Sequence, residues 1–110
     1  MAAVTNFIIE QGATFTTTVT VKASDGTAFN LTGYTPRAQM RKSYYSSTKT
    51  DFTAAIEGAA TNGQVTLSLT ATQTAAITDG RYVYDIEIDN NTNVYRVLEG
   101  MVTVSPNVTK

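Results

Sequence analysis

The chain has 110 residues, with eight basic and nine acidic side chains and a formal net charge of −1. That length suits one domain with one core, and so balanced a charge makes no electrostatic case for nucleic acid or an anionic membrane. Cysteine and histidine are both absent, which removes disulfides, thiolate nucleophiles, zinc clusters and the commonest general base.

The opening Met1-Ala-Ala-Val-Thr-Asn carries no basic n-region and no long apolar h-region, so no secretory signal is expected. Apolar runs are a few residues long, far short of a membrane span. A soluble protein made in a cytoplasm is the expectation. Hydrophobic residues make up 42% and charged residues 15%, a globular composition with few surface charges.

The dominant period along the chain is two. A short strand from about Phe7 to Glu10, closed by Gly12, comes first. Phe15, Thr17, Val19 and Val21 then share one face, with Thr16, Thr18, Thr20 and Lys22 on the other, the pattern of a half-buried strand. Threonine suits its outer face because β-branching fits the pleat. Ser24-Asp25-Gly26-Thr27 supplies a turn. After Pro36, Ala38 and Met40 alternate with Arg37, Gln39 and Arg41. Ser43 to Lys49 reads as a long exposed loop.

Phe52, Ala54 and Ile56 alternate with Thr53, Ala55 and Glu57, and Val65, Leu67 and Leu69 follow a turn at Asn62-Gly63. The alanine-rich stretch near residues 71–77 breaks the alternation. Thr70 and Gln73 stand at capping-box spacing before it, which predicts one short helical turn. Tyr82, Tyr84, Ile86 and Ile88 then form the inward face of a long strand. Asn90-Asn91-Thr92-Asn93 turns into a last strand from about Val94 to Val104, with a bulge expected near Glu99-Gly100.

About seven strands joined by short turns predict an all-β fold, an antiparallel β-sandwich. Asp79-Gly80-Arg81-Tyr82-Val83-Tyr84 sharpens this to an immunoglobulin-like sandwich. Such domains place a helical turn, then Asp/Gly, then a tyrosine whose hydroxyl closes a corner. Tyr82 holds that place, and Tyr84 falls where an antibody domain has its second cysteine; two aromatic core residues on an unrelated meander are the alternative. The domain is expected to span residues 1–110, with short extended tails at 1–6 and 105–110.

Chemistry is sparse. Asp85, Glu87 and Asp89 share one strand face, but successive carboxylates there lie about 7 Å apart, too far for one compact cation site. They read as a solvated face. A serine or threonine nucleophile has only lysine or the amino terminus as base, and Lys22, Lys42, Lys49 and Lys110 sit in polar surroundings. The glycines are scattered one per turn, with no phosphate-cradling cluster. No enzyme is expected, and no catalytic, cofactor-binding or metal residues. Asn-x-Thr sequons at Asn30, Asn90 and Asn107 are what a threonine-rich chain produces by chance.

Arg37, Arg41, Lys42, Tyr44 and Tyr45 form the only basic-aromatic cluster. It suits stacking on single-stranded nucleic acid or sugar, a plain solvated face, or a protein–protein contact. Of the functional readings the last is carried forward, with Arg41, Tyr44 and Tyr45 as interface residues.

An ordered series of blocks adds a resemblance. Asn6-Phe7-Ile8-Ile9-Glu10-Gln11-Gly12-Ala13-Thr14-Phe15 is followed by Asp25-Gly26, Asn30-Leu31-Thr32-Gly33-Tyr34 and Ala38-Gln39-Met40-Arg41. Leu67 to Ala75, Gly80 to Asp85 and Glu99 to Thr109 complete it. Together they resemble small immunoglobulin-like virion structural proteins of tailed phages, notably T4-like phages of marine cyanobacteria. They are also similar to the amino-terminal domain of phage baseplate upper proteins.

The resemblance covers nearly the whole chain. It implies a non-enzymatic structural role on a virion, made in a host bacterial cytoplasm, without fixing capsid, neck or collar, tail or baseplate. The partners implied are other virion proteins in multiple copies, with no nucleic acid, membrane, cofactor or small-molecule substrate. A carbohydrate- or host-receptor-binding module is the alternative. The two tails, with Val108 as an apolar anchor, are expected to be ordered mainly by neighbouring subunits.

Overall fold

The structure, a computed structural model, describes residues 3–109. Its strands are β1 (Ala3–Val4), β2 (Phe7–Glu10), β3 (Phe15–Thr20), β4 (Thr35–Arg41), β5 (Lys49–Ile56), β6 (Gln64–Leu69), β7 (Gly80–Asp89) and β8 (Val94–Ser105). They pair in the order β1-β8-β7-β4-β5-β6-β3, with β2 also on β8. The result is one curled sheet folded into two layers. β5 makes the corner: its first half, Lys49 to Phe52, pairs with β4, and its second half, Thr53 to Ile56, pairs with β6.

Each layer buries the face that the alternation marks. Val19 on β3, Met40 on β4, Phe52 on β5, Val65 and Leu67 on β6, and Ile86 and Ile88 on β7 meet in one core. Phe7, Phe15, Phe52 and Tyr84 close a ring of aromatic contacts between the layers, with centroids 4.8–6.5 Å apart. Those spacings and tilts are the ones aromatic pairs favour.

Between β6 and β7 the predicted helical turn is present as α1 (Ala71–Ala75). Its capping box is complete, Thr70 accepting from the Gln73 N–H and Gln73 accepting from the Thr70 N–H. Buried Thr74 donates to the Ala13 carbonyl at 2.8 Å and accepts from the Gly12 N–H at 3.0 Å, so α1 is fastened to the β2–β3 turn. A short 3-10 turn at Ala60–Asn62, not expected from the sequence, precedes β6.

Tyr82 closes the corner that its position predicts. Its hydroxyl donates to the Thr78 carbonyl at 2.5 Å, and the Lys42 ammonium lies 4.8 Å from the centre of its ring. Parallel pairing of the first strands with the last, antiparallel pairing elsewhere, and this corner together define an immunoglobulin-like sandwich.

Three expectations need correction. The bulge is not at Glu99-Gly100. Ile86 stands opposite Leu98 and Glu87 opposite Arg96, so Val97 is the extra residue, and Val97 and Leu98 are both buried. Gly100 lies in regular register opposite Tyr84. Its missing side chain serves a different need, because a Cβ there would stand 2.0 Å from the Thr5 carbonyl oxygen.

Residues 3–6 are not a loose tail either. β1 pairs with Leu98 and Glu99 of β8, Thr5 N–H donates to Glu99 O, and Met101 N–H donates to the Asn6 side chain. Two-residue β1 brings the strand count to eight. The carboxyl-terminal segment is tethered at its start, since Ser105 ends β8 and its carbonyl accepts from Gln11 N–H at 2.9 Å, while Val108 beyond it is exposed. Met1, Ala2 and Lys110 lie outside the described residues.

Candidate functional site

The outward face of β4, β7 and β8 carries Arg37, Arg41, Asp85, Glu87, Asp89, Arg96 and Glu99, and register explains how they meet. Arg37 stands opposite Glu87, Gln39 opposite Asp85, Asp85 opposite Glu99, and Glu87 opposite Arg96. The side chains interlock accordingly. Arg37 reaches Glu87 at 3.1 Å and Asp89 at 3.5 Å, and Arg96 reaches Asp85 at 3.3 Å and Glu99 at 3.4 Å. The three carboxylates on β7 are thus divided between two arginines. No group of three or more metal-ligating side chains occurs among the described residues.

This face is dished rather than flat. A shallow depression of about 590 Å3 is lined by Arg37, Gln39, Arg41, Tyr44, Asp85 and Arg96, among others. Asp85 sits within it. Burial, and secondarily the negative charge of Glu87, holds its carboxyl above the usual value, while Arg96 pulls the other way.

At one end of the depression the β4–β5 loop rises. Arg41 fixes it: one guanidinium nitrogen donates to the Ser46 carbonyl at 2.6 Å and another to the Gln39 side chain at 3.2 Å. The loop's tyrosines point outward, Tyr44 being 73% and Tyr45 97% exposed. Exposure on that scale is unusual for aromatic residues, which bury large surfaces when partners are present. Arg41, Tyr44 and Tyr45 are therefore one structural unit, as the sequence cluster suggests. Lys42 belongs elsewhere, over Tyr82.

Val108, the fourth expected interface residue, is 97% exposed and stands apart from that loop in the chain. It follows Asn107, whose N–H reaches the Gln11 side chain and whose amide donates to the Thr109 carbonyl. Both features lie at the same end of the sandwich, since β4 ends opposite Val83 and Gly80 stands opposite Val104. Among the sequons, Asn30 accepts from the backbone and hydroxyl of Thr32, and Asn90 accepts from Thr92 and Asn93. Both amides serve as turn formers.

Sequence reasoning missed Arg96 and Ser46. Arg96 takes its place only through the Val97 bulge, and Ser46 contributes a backbone carbonyl, which any residue carries. The signal for the bulge was the adjacent pair Val97-Leu98 inside an alternating strand.

No protein-family model matches the chain, and no curated protein matches it. Among solved structures, Listeria monocytogenes InlP is similar over 92% of this chain, at 13% identity and a TM-score of 0.52. A structure of Dscam is similar over 94% of it, at 10% identity and a TM-score of 0.42. This chain spans about a quarter of each, 26% of the InlP chain and 23% of the Dscam chain. The InlP likeness is one of fold, a β-rich immunoglobulin-like domain. Among the described residues no helix is long and apolar enough to cross a membrane.

Proposed function

We propose that the chain is a non-enzymatic structural or accessory protein of a tailed-phage virion, docking on the particle by protein–protein contacts. The observation that carries this reading is the Arg41-fastened loop with Tyr44 and Tyr45 turned to solvent. Tyrosine and arginine are enriched at contact hot spots, and a loop held by its own arginine loses little freedom on binding. The charged ladder beside it offers a polar rim. The blockwise resemblance to phage virion proteins supplies the particle, and other virion proteins are the partners.

The test is incorporation. A mass-spectrometric inventory of purified particles should contain the chain. A Tyr44→Ala/Tyr45→Ala double variant should fold normally yet be depleted from particles, and so should a chain lacking residues 106–110 if Val108 contributes. Absence from particles, or full incorporation of both variants, overturns the reading.

A carbohydrate- or receptor-binding module is the second reading, favoured by the placement of Tyr44 at the wall of a polar depression. Tyrosine-dependent binding of the isolated domain to a glycan array, with normal incorporation of the double variant, selects it instead.

A further inference from the structure

The strand order ends on β3, and this edge lacks the usual protection. β3 pairs only with β6, in an unbroken six-residue register from Phe15 opposite Leu69 to Thr20 opposite Gln64. Edge strands are ordinarily blunted by charge, proline, bulges or brevity. Phe15-Thr16-Thr17-Thr18-Val19-Thr20 contains no charge, proline or glycine, and its register shows no bulge. The opposite edge is different: Thr5 and Asn6 interrupt it between β1 and β2, and β2 ends on Glu10.

Topology leaves β3 open for a definite reason. Both halves of the amino-terminal segment, β1 and β2, pair with β8. No described strand takes the position beside β3. The seam between β2 and β3 is a second depression, of about 560 Å3, lined by Phe7, Ile8, Glu10 and Thr14 to Thr17. The Phe7 and Phe15 rings in this lining meet edge to face, with centroids 6.2 Å apart.

We infer that β3 pairs with β3 of a second copy, antiparallel across a two-fold axis, joining two three-stranded layers into one six-stranded layer. Self-complementarity argues for a copy over an unrelated strand. A two-fold contact must match one edge to itself, and this edge has no charge to repel its image. Thr16, Thr18 and Thr20 share the outer face. Every register that keeps the two outer faces on one side therefore sets threonine against threonine, Thr18 on Thr18 or Thr16 on Thr18. The same contact already exists inside the chain, where the Thr18 and Thr66 hydroxyls meet at 3.1 Å. Cross-strand threonine pairs are favourable neighbours. The inference is independent of where the domain is mounted, and holds for a virion protein or a free binding module.

The full chain should sediment as a dimer in equilibrium with monomer, the dimer fraction rising with concentration. Thr18→Lys gives up only the exposed Thr18–Thr66 hydroxyl contact and should lower the melting temperature slightly at most, but places like charges against each other and should shift the chain to monomer. Because the chain lacks cysteine, cysteine variants report the register directly: mild oxidation should cross-link Thr18→Cys to itself in the first register, or Thr16→Cys to Thr18→Cys in a mixture of the two in the second, and should not cross-link Thr35→Cys on the other layer. A chain monomeric at every concentration overturns the inference, as does a dimer that survives Thr18→Lys.

Discussion

The Tyr84 hydroxyl donates to the Thr5 carbonyl oxygen at 2.5 Å, linking residues 79 apart in the chain. One buried phenol thereby pins the amino-terminal crossover, opposite the glycine that lets the crossover approach β8. Burial pushes the Tyr84 hydroxyl up to about 12, above the value near 10 of an unfolded chain.

The sign of the resulting pH dependence is fixed. Between about pH 10 and 12 the unfolded chain releases the Tyr84 proton while the native chain keeps it, so unfolding becomes easier as pH rises through this window. The contribution is fully present below about pH 10. Urea unfolding should therefore show a steeper loss of stability above pH 10 in the parent than in Tyr84→Phe. Equal slopes would mean that the phenol is not protected. Tyr84→Phe should also speed amide exchange at Thr5.

Tyr82 offers a paired comparison on the same strand. Tyr82→Phe keeps the ring and removes the donor to Thr78, which should cost about 1 kcal/mol, an ordinary net hydrogen bond. Tyr82→Ala also removes ring contacts. Because Tyr82 is only partly buried, its cost should fall below the roughly 3–5 kcal/mol of a fully buried aromatic. Denaturant titration of the two variants separates corner from packing. Similar losses would assign the whole effect to the hydroxyl.

Much of the fold was legible because alternation is local. Val65, Leu67 and Leu69, or Tyr84, Ile86 and Ile88, declare their faces within a single strand, and Thr70 with Gln73 declares a helix start. What stayed hidden was decided between distant segments. Ala3–Val4 is too short to show a period, and its place depends on β8, more than ninety residues on. The corner in β5 leaves no mark, since Phe52 and Thr53 continue one alternation while changing partners. In the candidate site, the Arg-Tyr-Tyr cluster was visible, but Arg41's partner was a carbonyl and Arg96's depended on register.

Gly100→Ala tests the crossover from the other side. Gly100 needs no left-handed backbone; it needs space, as the added Cβ would meet Thr5 O at 2.0 Å. The backbone of residues 5–6 must lift, straining the Asn6–Met101 and Thr5–Glu99 bonds. A loss of about 1–3 kcal/mol, as for overpacking, should accompany faster exchange at Thr5 and Met101. An unchanged exchange rate would show that the crossover adjusts freely.

Asp85 carries the opposite expectation to a stabilising ion pair. Its carboxyl titrates above the usual range because burial and Glu87 disfavour the charged form more than Arg96 favours it. The native state is thus relatively strongest below the unfolded carboxylate value near 4 and loses stability as pH rises through the raised native value. Asp85→Asn should flatten that part of the stability profile and leave the melting temperature at pH 7 equal to or above the parent's. A clear drop at pH 7 would instead show that the Arg96 contact dominates.

Arg41 connects stability to the candidate site. Its contact with the Ser46 carbonyl at 2.6 Å is a charge-assisted hydrogen bond, partly sheltered from water, of the kind worth about 1.5–3 kcal/mol. The energy is local, however, because Ser43 to Thr48 lie outside the core and should open below the global unfolding free energy. Arg41→Ala should therefore lower global stability only slightly, yet raise amide exchange and protease cleavage across residues 43–48 several-fold. Arg41→Lys should rescue little, since a single ammonium cannot span Gln39 and Ser46 as the guanidinium fork does. If binding depends on a preformed loop, Arg41→Ala should weaken it mainly by slowing association, while Tyr45→Ala should act mainly on dissociation. Protection of residues 43–48 unchanged in Arg41→Ala would show that the loop holds its shape without that arginine.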